Sequence, residues 1–125
     1  MNLRAAALTL LLAILAVPAW AQDCPGAKSN DDCDRIVFEK ADAELARAVE
    51  SRLVAIGRRS TFSGPVEQAK SLFSTAQLEW LRFREAECKA RTAATSLISA
   101  RTVDGLTFAC LGSLTSQRIE EIRRY

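Results

Sequence analysis

Four cysteines in a short chain are the feature that most limits how this sequence can fold. They are Cys24, Cys33, Cys88 and Cys110. An even number of cysteines in a small exported domain predicts disulfides, and four cysteines allow three pairings. Zinc binding is disfavoured because the 8 residues between the first two cysteines and the 21 between the last two fit no standard zinc spacing. We therefore expect two disulfides and no metal site.

The first 21 residues, MNLRAAALTLLLAILAVPAWA, have the pattern of a secretory signal peptide. A basic residue at Arg4 precedes an apolar run over residues 5–17, and Pro18 is followed by small residues at the predicted cleavage point before Gln22. The run is shorter than the roughly 20 residues that span a bilayer. A lipid anchor is also disfavoured, since Cys24 follows Asp23 rather than a small residue. We expect a periplasmic or secreted protein without a membrane anchor after signal cleavage.

The mature domain, residues 22–125, is small and almost neutral. Removal of Arg4 with the signal peptide takes the 17 basic residues to 16 against 15 acidic residues, so the net charge of the mature domain is +1. A domain of this size buries only about two thirds of its unfolded surface, so cross-links would stabilise it considerably. One small domain held by disulfides is the expected organisation.

Apolar residues at steps of three and four predict three helices and no strand. The first covers residues 31–56, with Ser29 or Asn30 as its N-cap and Gly57 as its stop. The second covers residues 65–91, with Ser63 or Gly64 as its cap. Its predicted inward stripe is Ala69, Leu72, Phe73, Ala76, Trp80, either Phe83 or Arg84, and Cys88.

Residues 92–104 show no clean period and are predicted to form a loop, and a third helix follows over residues 106–123. The expected fold is all-α, a small antiparallel three-helix bundle stapled by two disulfides. All four cysteines would lie at the same end of such a bundle, so proximity alone does not choose their pairing. We favour the pairs with the shortest loops, Cys24 with Cys33 and Cys88 with Cys110.

A charge interrupts the inward face of the second helix. Trp80, Arg84 and Cys88 recur every four residues and therefore share one helical face. Either Arg84 recognises a ligand, or it pairs inside the bundle while Trp80 anchors the core. We favour the internal pair, because a buried arginine is usually paired. The partners that the topology offers are Asp42 or Glu39 on the first helix, and Arg118 could join from the third.

Most catalytic chemistry lacks its usual residues in this chain. There is no histidine, so the commonest general base and metal ligand is missing, and oxidised cysteines would not act as nucleophiles. Acidic pairs such as Glu85 with Glu87 are typical of a solvated helix face. The Arg58–Arg59 and Arg123–Arg124 runs are too short to indicate nucleic-acid binding in a neutral domain. We expect neither an enzyme nor a cofactor-binding protein, and no nucleic-acid partner.

Several motifs together resemble the LprI-type lysozyme-inhibitor-like family of small exported helical domains. They are Cys24 and Cys33 around the entry to the first helix, ADAEL at 41–45, AQLEWLRFREAEC at 76–88 and CLGSLTSQRIEEIRRY at 110–125. Within them, Gln77, Trp80, Phe83, Arg84, Glu85 and Cys88 match the family pattern, as do Asp42, Leu45, Thr115 and Arg118. One loop departs from it, since SLISARTVDG stands where many relatives carry a Gly-Gly-Ser-like turn.

The resemblance implies a protein partner, with lysozyme as the candidate. An inhibitor of that kind would block a cleft that uses two carboxylates, and a loop with basic or hydroxyl groups would suit it. Two loops offer such groups: GRRSTFSG, with Arg58, Arg59, Ser60, Thr61 and Phe62, and the 92–104 segment, with Thr95, Ser96 and Arg101. The alternative is a non-inhibitory adaptor of the cell envelope that binds a protein or a wall component.

Overall fold

The chain folds into three long helices. The structure is a computed structural model, and it describes residues 24–59 and 63–125. The predicted signal peptide and the side chains of Ser60, Thr61 and Phe62 lie outside the described residues. Helix α1 covers Asn30–Gly57, α2 covers Ser63–Ser96 and α3 covers Val103–Arg124. The all-α three-helix bundle is therefore confirmed.

Side-chain caps begin two of the helices. Ser29 Oγ accepts a hydrogen bond from the Asp32 backbone N–H at 3.1 Å, which makes Ser29 the N-cap of α1. Thr102 Oγ1 accepts from the Gly105 backbone N–H at 3.0 Å and caps α3 in the same way. Each cap satisfies one backbone donor that the first helical turn leaves without a partner.

The predicted loop at 92–104 is much too long, because α2 continues to Ser96 and α3 already begins at Val103. Tertiary packing explains the extra turn of α2. Thr92 is buried, and its Oγ1 accepts a hydrogen bond from Thr107 Oγ1 on α3 at 3.2 Å. The predicted caps of α2 are also wrong, since Ser63 and Gly64 lie inside the helix.

The core lies mainly between α1 and α3, which pack together more extensively than either packs against α2. Its buried centre is Leu45, Ile119 and Ile122, and Ala48, Val49, Phe73, Trp80 and Leu81 pack around it. Of the two residues considered for this position of the inward stripe of α2, Arg84 is buried and Phe83 is exposed. Ala69, Leu72 and Ala76 were also predicted to face inward and are instead exposed. Apolar residues on two faces of α2 explain the error, because periodicity alone does not say which face the core takes.

Candidate partner-binding site

Two disulfides lie at one end of the bundle and confirm the preferred pairing, Cys24 with Cys33 and Cys88 with Cys110. The first closes the short loop that leads into α1. Gly26 turns this loop with a φ of 88°, a value that favours glycine, and the Ala27 N–H donates to the Cys24 carbonyl oxygen at 3.0 Å. The second disulfide joins the last turns of α2 to α3. Both cross-links are consistent with an extracytoplasmic location.

Arg84 lies buried between all three helices. Its Nη1 donates to Asp42 Oδ1 on α1 at 2.6 Å and to Thr115 Oγ1 on α3 at 2.9 Å. Its Nη2 donates to Glu85 Oε1 at 3.1 Å, while its Nε has no hydrogen-bond partner. Glu39 was the other carboxylate considered, but it pairs with Arg35 at 2.8 Å instead.

Arg118 does not join this ion pair directly. Its Nε donates to Gln77 Oε1 at 3.1 Å, and its Nη1 donates to Glu121 Oε2 at 2.9 Å. The two guanidinium carbons of Arg84 and Arg118 each lie 5.6 Å from the ring centroid of the half-buried Trp80. Both cations therefore use one indole as a shared packing surface. The two guanidinium groups are buried and bonded within the bundle, so they are poorly placed to bind an external ligand.

Arg101, from the second candidate loop, is also paired internally. It donates to Asp31 Oδ1 at 3.1 Å and to Asp34 Oδ2, both at the start of α1. The Thr102 hydroxyl donates to Asp31 Oδ2 at 2.5 Å. The hydrogen bond from Thr102 has the largest effect on the Asp31 carboxyl, and the bond from Arg101 has the next largest. Together they hold its pKa below the ordinary value. The charge of Arg101 is thus compensated within the protein.

The two candidate loops lie at opposite ends of the molecule. Arg101 contacts the first turn of α1, whereas Arg58 and Arg59 follow its last turn. A helix of 28 residues is about 40 Å long at 1.5 Å per residue. A single compact interface at a bundle end therefore does not include all the predicted binding residues.

Arg58 and Arg59 belong to a basic surface that sequence analysis identified only in part. Arg58 is exposed, and Arg59 Nη2 donates to the Tyr125 main-chain oxygen at 3.5 Å. Nearby arginines on α1 and α3 extend this surface. We define the basic end as Arg47, Arg52, Arg58, Arg59 and Arg124, none of which forms an ion pair with a carboxylate side chain among the described residues.

Arg52 lines two of the grooves that open on this basic end. One has a volume of about 450 Å³ and runs between α1 and α3, where Arg47 and Ile122 contribute to its walls. The other has a volume of about 350 Å³ and lies between the end of α1 and the start of α2, beside Arg59 and Val66. Arg52 itself packs over the Tyr125 ring, with its guanidinium carbon 5.5 Å from the ring centroid. Arg47 and Arg52 were missed because they lie 11 and 6 positions before Arg58, so no sequence run marks them.

The described residues contain no group of three or more metal-binding side chains. Within residues 24–59 and 63–125, no helix combines the length and the apolar character that crossing a membrane requires.

The fold defines a small helical domain stapled by two disulfides. A family model described as "Lysozyme inhibitor LprI" matches residues 22–122. The chain belongs to this LprI family. No curated protein and no solved structure shows significant similarity to it. Membership of a family of inhibitors fits a binding role rather than a catalytic one.

Proposed function

We propose that this protein is an exported inhibitor that binds a lysozyme-type muramidase and blocks its cleft with the basic end. Residues 1–21 act as the signal peptide in this proposal, and residues 22–125 form the mature domain. Family membership supports the inhibitor class. The observation that carries the choice of surface is that, among the described residues, the arginines without a carboxylate side-chain partner are those of the basic end.

The chemistry of the target favours arginine. Glycoside hydrolysis of this class uses two carboxyl groups that flank the scissile bond. A guanidinium group matches a carboxylate with two parallel hydrogen bonds, and it keeps its charge at any physiological pH. Arg58 and Arg59 follow the last turn of α1, so they are placed to enter a cleft ahead of the helices.

The opposite end is less suited to this task. Arg101 would have to leave Asp31 and Asp34 before it reached a partner carboxylate. That exchange loses two existing ion pairs in return for new ones. By contrast, the arginines of the basic end form no ion pair with a carboxylate side chain of the described residues. They would therefore gain ion pairs with a partner without breaking any of these.

The test is the lysis rate of peptidoglycan-rich cells by a panel of lysozymes, with the purified, oxidised 22–125 protein titrated in. We expect dose-dependent inhibition that Arg58→Ala/Arg59→Ala weakens at least tenfold. Arg101→Ala is the matched control, since it removes an arginine at the other end and should leave inhibition within about twofold. Inhibition should also weaken as salt rises, because exposed charge interactions are screened.

Circular dichroism would first establish that each variant keeps the helical content of the parent. No inhibition by the parent across the panel at micromolar concentration would reject the inhibitor proposal, and the non-inhibitory adaptor hypothesis would replace it. If Arg101→Ala lost inhibition while the Arg58→Ala/Arg59→Ala variant kept it, the binding surface would lie at the end that carries the disulfides.

A further inference from the structure

The outward face of α2 carries a long apolar stripe that has no partner within the described part of the chain. Its residues alternate at steps of four and three from position 72 to position 97, which is a heptad repeat. Leu72 is 65% exposed, Phe83 53% and Leu97, just beyond the helix, 84%. We call this surface the outer stripe, and its apolar members include Leu72, Ala76, Phe83, Ala86, Ala90 and Leu97.

The outer stripe differs from an ordinary exposed helix face in both length and composition. It extends for about 37 Å at 1.5 Å per residue. Glu79 is the one charged residue at the heptad positions between Leu72 and Leu97. Small alanines at several positions would let another helix approach closely, since the distance between packed helices depends on the side chains at the contact. An exposed apolar face of this extent is typical of an interaction surface.

We infer that the occupant of the outer stripe is the α2 helix of a second copy of this chain, running antiparallel. A twofold axis midway between positions 84 and 85 places each large residue against a suitable partner. Phe83 then faces Ala86 of the second copy, and Leu72 faces Leu97. Glu79 and Ala90 face each other as well. Twofold symmetry makes every such pair occur twice.

Charge complementarity supports the same register. Glu79 reaches the level of Lys89 of the second copy, which projects from the edge of the stripe. Lys89 forms no ion pair with the described residues of its own chain, while Glu79 is 61% exposed and pairs only with the exposed Arg82. The arrangement therefore adds two Glu79–Lys89 ion pairs between the copies. A parallel arrangement would instead place the two Glu79 carboxylates against each other.

The dimer would leave the basic end of each copy free. Arg58 and Arg59 precede α2, beyond the Leu72 end of the stripe, so an antiparallel pair carries its two basic ends at opposite tips. Self-association and muramidase binding thus use different surfaces. Either can fail in experiment without affecting the other.

The test combines the mass of the 22–125 protein in solution, measured by light scattering after size exclusion, with zero-length carbodiimide cross-linking. We expect twice the monomer mass at high micromolar concentration, and a covalent dimer whose joined peptides contain Glu79 and Lys89. Within one chain these two residues are ten positions apart on one helix, about 15 Å, which is too far for a zero-length link. The cross-link therefore reports contact between copies.

Leu72→Glu and Leu78→Glu form a matched pair. Both leucines are exposed on α2, at 65% and 59%, but Leu78 lies off the outer stripe. We expect Leu72→Glu to weaken dimerisation at least tenfold and Leu78→Glu to leave it within about twofold, with equal helical content in both. A monomer at several hundred micromolar, equal effects of the two variants, or a dimer without the Glu79–Lys89 cross-link would each overturn the inference.

Discussion

Loss of Asp42 should destabilise this protein more than loss of Arg84, although the two side chains form one ion pair. The Arg84 side chain is 7% exposed, whereas the Asp42 side chain is 48% exposed. Asp42→Ala would leave a buried guanidinium with Glu85 as its remaining carboxylate. Arg84→Met would leave a carboxylate that water already reaches, and methionine would keep much of the apolar contact of the arginine stem.

The magnitudes follow from these contacts. Breaking a buried ion pair by removing one partner costs about 3–5 kcal/mol. We expect about 3 kcal/mol for Asp42→Ala, at the low end because Glu85 and Thr115 still contact the guanidinium. Arg84→Met loses one hydrogen bond to the buried Thr115, about 1 kcal/mol, and cation–π contacts with two rings, about 0.5–1 kcal/mol each. Removal of the unpaired Nε offsets part of this loss, so we expect a net cost of about 2 kcal/mol.

Urea unfolding of the oxidised 22–125 protein measures both values. The double variant Asp42→Ala/Arg84→Met should be no less stable than Asp42→Ala alone, because the stranded charge is then absent. Arg91→Met is the control, since Arg91 is exposed and paired with Glu87 at 2.7 Å, and it should change stability by less than about 1 kcal/mol. A larger loss for Arg84→Met than for Asp42→Ala would refute the reasoning.

Three further predictions concern the disulfide end. Cys88→Ser/Cys110→Ser should lower the free energy of unfolding by about 3 kcal/mol, because it releases a loop with a sequence separation of 22, and a similar urea midpoint would contradict this. Gly105→Ala should lower the melting temperature, since a Cβ there would collide with the Asp31 carboxylate, and an unchanged melting curve would count against the packing described. The pKa values of Asp31 and Asp32 lie below the ordinary 3.8, so their contribution to stability is complete above pH 3.8 and is lost as the pH falls through the folded pKa values. Urea midpoints measured above and below pH 3.8 should therefore differ less for Asp31→Asn than for the parent.

The existence of the three helices could be predicted from the sequence because helix formation is largely a local property. Apolar steps of three and four, a capping serine and the lack of strand patterning lie within short segments. The cysteine pairing could be predicted as well, since short loops close most readily. The same local rules failed at residues 92–96, where contact with α3 keeps the chain helical.

Sequence alone determined the helical class, the cross-links and the family to which this chain belongs. Only the tertiary structure decided which face of α2 the core takes, so that Arg84 is buried while Leu72 and Phe83 are exposed. It also decided that Arg101 is compensated by Asp31 and Asp34. These outcomes depend on residues about 40 to 70 positions apart in sequence, whose proximity no local pattern encodes. Charge and apolar surface become available to a partner only after those long-range contacts have formed.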